Sequence, residues 1–300
     1  LPSSTALRAS AARMSRAAAA PLARAMSGAP KIKEHAMVHF KISSNDHPLG
    51  VEKTHKTIAN YWANPMSHPV WSEQELQSVE KTHRRPKDWN DRIALGAVKF
   101  ARWAFDTLTM FKRGPLTEKK VLNRAIFLET VAGVPGMTAG MLRHLRSLRR
   151  MERDYGWIHT LLEEAENERM HLLTFLTMRS PGPVFRGAVV VSQGLFMNLF
   201  FITYLVRPAI CHRFVGYLEE EAVKTYTDIV DAIDNGALAQ WKTHPAPAIA
   251  VRYWHLKPDA TVRDVMLAVR ADEANHRDVN HTFASMQPTQ INPFVATRQS

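Results

Sequence analysis

The run Leu162-Glu163-Glu164-Ala165-Glu166-Asn167-Glu168-Arg169-Met170-His171 places four glutamates and a histidine in ten positions, ahead of the apolar Leu172, Leu173, Phe175 and Leu176. Good helix formers dominate it, and neither Gly nor Pro interrupts. Glu168 and His171 are three apart, so a helix carries a carboxylate and an imidazole on one face, close enough to hold one metal ion. Taken alone, the stretch also fits a solvated acidic helix with an incidental histidine. A second stretch, Arg270-Ala271-Asp272-Glu273-Ala274-Asn275-His276-Arg277, repeats the spacing at Glu273 and His276. Carboxylate-bridged sites in four-helix bundles take Glu-x-x-His from each of two helices and a lone Glu from each of the other two. Two further segments offer that lone acid: Glu129 within Ile126-Phe127-Leu128-Glu129-Thr130-Val131, and Glu219 within Phe214–Val223. Four carboxylates with two imidazoles are hard donors that suit iron or manganese better than a thiolate-seeking metal.

Four Glu-x-x-His spacings occur, more than chance pairing of 16 glutamates and 14 histidines supplies. The other two, Glu52-His55 and Glu80-His83, sit in a repeated Val-Glu-Lys-Thr-His. Their surroundings are broken by proline and lack partner acids, so they read as surface segments. The ordered set Glu129, Glu168/His171, Glu219, Glu273/His276 is the specific signal.

The elements that must position this set are helices. Apolar residues Ile93, Leu95, Val98, Phe100, Trp103, Phe105, Leu108, Met110 and Phe111 predict a helix over 91–113, with Arg92, Lys99, Arg102, Asp106 and Arg113 as a narrow polar stripe. Bulky aromatics opposite a basic stripe fit a helix lying in a membrane interface; a core helix of a soluble bundle is the other reading. Gly114-Pro115 ends it, and a helix over 118–149 follows with Gly133, Pro135, Gly136 and Gly140 inside. Such residues are costly in a helix. They either admit a closely packed neighbour on the Glu129 face or mark a kink. Residues 157–178 form the next helix, stopped by Ser180-Pro181-Gly182-Pro183.

Residues 187–206 carry no charge and are bracketed by Arg186 and Arg207. Twenty such residues span about 30 Å as a helix, the thickness of a bilayer core. A crossing would put Glu168 and Glu219 on opposite sides, yet both are needed at one cluster, so this helix is expected to enter the membrane without crossing it. A helix over 212–233 and one beginning at Thr261, a cap residue, complete the set. Tyr226, two turns after Glu219, is either a proton and electron donor to the centre or an ordinary core phenol.

Here the residues resemble a known family. Asn123–Met137 (Asn-Arg-Ala-Ile-Phe-Leu-Glu-Thr-Val-Ala-Gly-Val-Pro-Gly-Met) is similar to the first signature of the alternative oxidases. Asn167-Glu168-Arg169-Met170-His171-Leu172 is similar to the second, and Leu218–Ala222 and Arg270–Arg277 to the third and fourth. The match runs from about Thr82 to Phe294. The resemblance implies an all-α, ferritin-like four-helix bundle with two membrane-facing helices, about 91–113 and 184–207, in a monotopic enzyme. It implies two iron ions, ubiquinol and dioxygen as substrates, and the matrix face of the mitochondrial inner membrane. It also implies an essential role for Tyr226 and a quinol pocket of Arg102, Asp106, Arg124, Leu128, Ala222 and Thr225, with His212 nearby. Each pocket residue also fits plain packing or surface charge. The expected reaction is cyanide-insensitive oxidation of two quinols with reduction of dioxygen to water and no proton pumping. A plastoquinol oxidase, a di-iron quinone-ring hydroxylase and a membrane-docked iron-binding bundle remain alternatives. A homodimer, one leaflet of membrane lipid and no nucleic acid are the expected partners.

Composition bounds the rest. The single cysteine, Cys211, excludes an internal disulfide framework and a Cys-x-x-Cys-His haem attachment. The plant members' redox control through an N-terminal cysteine is expected to be absent. Net charge is +11, but residues 1–33 hold six Lys/Arg and no acid, leaving 33 basic against 28 acidic residues. The basic excess is therefore largely an arm, and not a nucleic-acid surface. Residues 1–30, with Arg8, Arg13, Arg16 and Arg24 among Ala and Ser, fit a mitochondrial transit peptide. Residues 31–90 read as an extended arm with short helical pieces, punctuated by Asn64-Pro65, His68-Pro69 and Arg85-Pro86. The bundle occupies 91–290, and 291–300 is a tail.

Overall fold

The computed structural model describes residue 66 and residues 68–296. The transit peptide, the arm up to residue 65 with Glu52-His55, and the last four residues of the tail lie outside the described residues. Helices run α1 (Glu73–Ser78), α2 (Trp89–Leu108), α3 (Glu118–Arg150), α4 (Trp157–Met178), α5 (Pro183–Val206), α6 (Pro208–Asp234), α7 (Ala248–Tyr253), α8 (Val262–Ser285) and α9 (Pro293–Ala296). A short 3₁₀ turn, Ala239–Lys242, follows α6. Among the described residues the only β feature is one isolated bridge, Pro245 to Thr261.

Local chemistry sets the ends. Asp88 caps α2 by accepting from Asp91 N–H (2.9 Å). Thr117 caps α3 by accepting from Lys120 N–H (3.3 Å). Thr261 N–H donates to Asp264 Oδ2 (2.7 Å) at the start of α8, where the sequence places a cap. Pro183 and Pro208 each open a helix, using the fixed φ that suits a first turn. The helix expected over 91–113 stops at Leu108. Met110 takes φ 51° and Gly114 φ 71°, left-handed conformations that end the helical path. The apolar pattern runs on to Phe111 because that ring lies under the Arg124 guanidinium, 4.4 Å from its centroid.

Helices α3, α4, α6 and α8 form a four-helix bundle, with α3 packed on α4 and α6 on α8 most extensively. Helix α2 lies against α6, and α5 against α3 and α6. Of the two readings of the glycines, close approach is what is observed. Helix α3 runs unbroken through Pro135. A Cβ on Gly136 would stand 2.5 Å from the Leu161 carbonyl oxygen of α4, and one on Gly140 would stand 3.2 Å from Leu162 Cδ2. The same device joins α6 to α8, where a Cβ on Gly216 would collide with the His281 ring.

One apolar cluster gathers Leu142, Trp157, Leu161, Phe200, Tyr204 and Phe283, and Ile126, Phe175, Ile233, Trp241 and Met266 are buried elsewhere in the bundle. The middle is polar. Helices α3 and α5 are both long and apolar enough to cross a membrane by length and composition. They differ in what covers them: half of the α3 window is buried within the protein, against 11% for α5. Val184, Val190, Val191, Leu195, Ile202 and Val206 of α5 are exposed, as are Trp89, Ile93, Phe100, Trp103 and Leu108 of α2.

Candidate metal centre and its cavity

Each acid and imidazole of the ordered set sits mid-helix on the face turned inward: Glu129 on α3, Glu168 and His171 on α4, Glu219 on α6, Glu273 and His276 on α8. All six are buried. Ligand atoms of Glu129, Glu168, His171 and Glu273 lie within 4.8 Å of one another. His171 Nδ1 is 3.4 Å from Glu129 Oε2 and 3.5 Å from both Glu168 Oε2 and Glu273 Oε1. His276 Nδ1 is 2.8 Å from Glu168 Oε1 and 3.8 Å from Glu273 Oε2. Glu168 and Glu273 each turn one oxygen toward each imidazole. Glu219 stands beside Glu273: burial first, and then the charges of Glu273 and Glu168, hold its carboxyl well above the usual range. Burial does the same to Glu129, against the lowering pull of His171.

Five of these six side chains hold a buried atom that makes no well-formed hydrogen bond: Glu129 Oε2, Glu168 Oε2, His171 Nδ1, Glu273 Oε2, and His276 Nδ1, whose 2.8 Å approach to Glu168 Oε1 is a close contact only. Buried polar atoms are normally paired, and leaving one unpaired costs about 1–3 kcal/mol. Five such atoms converging on one space fit a bound cation. Two divalent ions would balance the four carboxylates, with both imidazoles neutral.

The imidazoles differ in what stands behind them. His171 Nε2 meets Asp272 Oδ2 at 3.0 Å. That oxygen also accepts from Asn167 Nδ2 (3.0 Å) and Trp254 Nε1 (2.7 Å), and Oδ1 accepts from Trp71 Nε1 (2.7 Å). With Nε2–H donating, His171 presents the Nδ1 lone pair to the cluster. Asn167 and Asp272 each adjoin a cluster glutamate in the sequence. Trp71 and Trp254 are not legible there, since they stand 201 and 18 residues from Asp272. Glu164 and Asn280 also went unnominated, although each lies four residues from a cluster member, one helical turn away. Asn280 Nδ2 donates to both Glu164 oxygens (3.0 and 2.8 Å). Burial pushes the Glu164 carboxyl up to about 7.

Tyr226 donates its hydroxyl to Glu129 Oε1, and its ring stacks with Phe175 at 6.3 Å. Burial and the Glu129 charge hold the phenol well above its usual value, so it stays protonated. Tyr226, Glu129, Glu219 and Glu273 form the inner end of a cavity of about 340 Å³. Its outer end is Leu195 and Leu199 on the exposed face of α5. Arg102, Arg124, Leu128, Ala222 and Thr225 line it. Asp106 stands behind the wall and grips both guanidinium groups, Arg124 Nη1 at 2.6 Å and Arg102 Nε at 3.2 Å. It belongs to a buried ion-pair cluster, not to the solvated stripe that its spacing predicts. Arg102 Nη1 also meets Glu221 Oε2 (2.8 Å) and Thr225 Oγ1 (3.3 Å). His212 does not line the cavity. It is buried with Nδ1 on Asn280 Oδ1 and Nε2 on the Tyr204 hydroxyl, both at 3.1 Å, and burial pushes its pKa down to about 4. The surface pair Glu80-His83 lies away from the cluster, and His83 Nδ1 meets Glu220 Oε2 at 2.6 Å.

Residues 71–285 match the family model described as alternative oxidase. The chain is 53% identical over 250 residues to a protein named "Alternative oxidase, mitochondrial" from Emericella nidulans, covering 79% of this chain and 70% of that protein. It is 53% identical over 253 residues to the protein of that name from Aspergillus niger, covering 80% and 71%. It is 49% identical over 236 residues to the one from Trypanosoma brucei brucei, covering 77% and 71%.

Proposed function

The chain belongs to the alternative oxidase family and is on that ground a ubiquinol oxidase, and we propose that it works through two iron ions held by Glu129, Glu168, His171, Glu219, Glu273 and His276. The observation that carries this reading is the set of five buried ligand atoms without a well-formed hydrogen bond at the inner end of an apolar cavity. The metal pair, when bound, supplies the site of dioxygen reduction. Two quinols deliver four electrons and four protons, the number that turns one dioxygen into two waters.

The protein's own groups do the rest. The cavity opens through α5 side chains, so a quinol enters from lipid without crossing water. Arg102 and Arg124, held by Asp106, line the wall where the quinol ring and its oxygens come to rest. Ala222 leaves room beside them, and Thr225 offers a hydroxyl. Tyr226, protonated and bonded to Glu129, stands between this wall and the carboxylates, where it can pass a proton and an electron inward. The apolar walls keep bulk water out. Asp272, fixed by three donors besides His171, keeps that imidazole in one tautomer.

Location follows the same reasoning. The exposed apolar faces of α2 and α5 dock in one leaflet, and α5 enters without crossing, because Glu168 before it and Glu219 after it serve one cluster. Residues 1–30 direct the chain to mitochondria, and the enzyme lies on the matrix side of the inner membrane. Exposed Met137, Met141, Leu145 and Leu148 make an apolar stripe along α3, which supports a homodimer. With no haem involved, turnover is insensitive to cyanide, and with no proton channel the energy leaves as heat.

The test is oxygen uptake by the detergent-purified full chain, fed a short-chain ubiquinol with cyanide present. Uptake that falls on iron removal and recovers on reloading supports the reading. Tyr226→Phe should hold its iron and lose turnover by about 10²-fold or more. Protein shown to hold two irons but without uptake would overturn the oxidase chemistry in favour of a hydroxylase or an iron-binding bundle.

A further inference from the structure

A second cavity, of about 510 Å³, lies between the C-terminal half of α2, the turn after it, and α6. It shares Val98, Arg102 and Glu221 with the quinol cavity, but none of the six cluster residues lines it. Every acid on its walls is already engaged. Asp106 is held by Arg124 and Arg102, Glu221 by Arg102, and Glu220 by His281 at 2.8 Å and His83 at 2.6 Å. The bases are in surplus. Among the described residues Lys99 has no carboxylate partner and the Arg113 guanidinium meets only the Met110 sulfur. Lys112 reaches Asp106 at 3.4 Å with its side chain 77% exposed.

The position of this surplus identifies what it meets. Helical spacing puts Trp89, Ile93, Phe100 and Trp103 on one stripe of α2, exposed and apolar, with Arg92 and Lys99 along one edge. Lys112 and Arg113 continue that edge past the helix end. The lip of the cavity is Trp103 and Met110, both exposed. An apolar stripe edged by long basic side chains, most of them without a carboxylate partner, is the pattern of a helix at headgroup depth, with its cations snorkelling to lipid phosphates.

We propose that this cleft holds the phosphate headgroup of an anionic phospholipid, bound by Lys99, Lys112 and Arg113, with the acyl chains lying against Trp103 and Met110. The inference rests on the reading that α2 and α5 dock in a leaflet, and deepens it by naming the lipid class and the residues that select it. The bound lipid sets the depth of α2 beside the mouth of the quinol cavity.

The experiment is flotation of the full chain with vesicles of phosphatidylcholine alone, and with one fifth anionic phospholipid. Each basic group at a membrane surface is worth about fivefold in partition. The anionic increment should therefore drop by at least tenfold in Lys99→Gln/Lys112→Gln/Arg113→Gln. It should persist in Lys99→Arg/Lys112→Arg/Arg113→Lys, which keeps the charge. Arg149→Gln/Arg150→Gln, at the far end of α3, should keep the increment. An equal loss there would mean diffuse charge attraction and overturn the site. Glycerol phosphate at millimolar concentration should not displace the wild-type chain; displacement would assign the cleft to a free phosphate instead. Wild type that fails to float even with phosphatidylcholine would sink the docking reading, whereas normal flotation with no anionic increment would sink only this proposal.

Discussion

The Glu-x-x-His of α4 and that of α8 are the same motif in two settings. Both put a carboxylate and an imidazole on an inward face, and both glutamates turn an oxygen toward each histidine. Behind His171 stands Asp272, anchored by two indoles and an amide. Behind His276 lies a small polar recess containing Glu164, and the described hydrogen bonds include none to its Nε2. Spacing on a helix decides which face a side chain takes. The neighbours that arrive from other helices decide which nitrogen carries the proton and how firmly the ring is held. The two motifs are alike in the groups that face the cluster and unlike in what holds those groups.

Four measurements probe that contrast, the largest effect first. Glu168→Ala and Glu273→Ala should be equally damaging, each losing bound iron and all quinol-dependent oxygen uptake, as read by elemental analysis and an oxygen electrode. Retention of both irons in either variant would break the equivalence of the two motifs at the cluster. One layer out, the symmetry should fail. Asp272→Ala should weaken metal retention about 10–100-fold, the usual cost of losing a partner that orients a ligand. Glu164→Gln, which keeps its bond from Asn280, should change retention by no more than about threefold on the same scale. Equal losses would show that the recess behind His276 is as structured as the Asp272 anchor.

His212 sharpens the contrast as a third buried imidazole, outside the carboxylate cage. Its pKa is pushed down to about 4 in the folded chain, against about 6.5 when unfolded. Between those values the unfolded chain binds the extra proton, so stability is full above about pH 6.5 and falls as pH falls toward 4, by up to about 3 kcal/mol. The loss of Tm between pH 7 and pH 5 should be smaller in His212→Gln, followed by circular dichroism; an unchanged pH slope would contradict the assignment. The smallest effect is expected for Trp71→Phe. It removes one of the four groups on Asp272, at about 1 kcal/mol, or a Tm decrease of about 2–4 °C. Iron retention should be unaffected, because Asn167 and Trp254 still hold the carboxylate.

The buried carboxylate and imidazole set shows how much of the site is local information. Glu129, Glu168, His171, Glu219, Glu273 and His276 were legible because helix periodicity alone assigns a face, and because a bundle of four such helices has one inside. The fold class was legible for the same reason, together with the apolar runs and the Pro and Gly stops. Asp106 and His212 mark the limit. Spacing put Asp106 on a polar stripe, but α3 brings Arg124 against it and turns it into a buried ion pair. His212 stands two turns before Glu219, but α8 brings Asn280 and α5 brings Tyr204 around it, and it does not line the cavity of about 340 Å³.

What the sequence by itself determined is therefore the helices, their inward faces and the donor set they bring together, since each depends on residues within a few turns of one another. The tertiary structure alone decided three further things. It decided that the α3 glycines admit α4 and not a kink, because a Cβ at Gly136 would meet a carbonyl of another helix. It decided that Trp71 and Trp254 anchor Asp272, because such contacts are set by chain reversal and not by spacing. And it decided which of two helices, both long and apolar enough to cross a membrane, is covered: hydropathy measures a segment's own side chains, whereas burial depends on what packs against them.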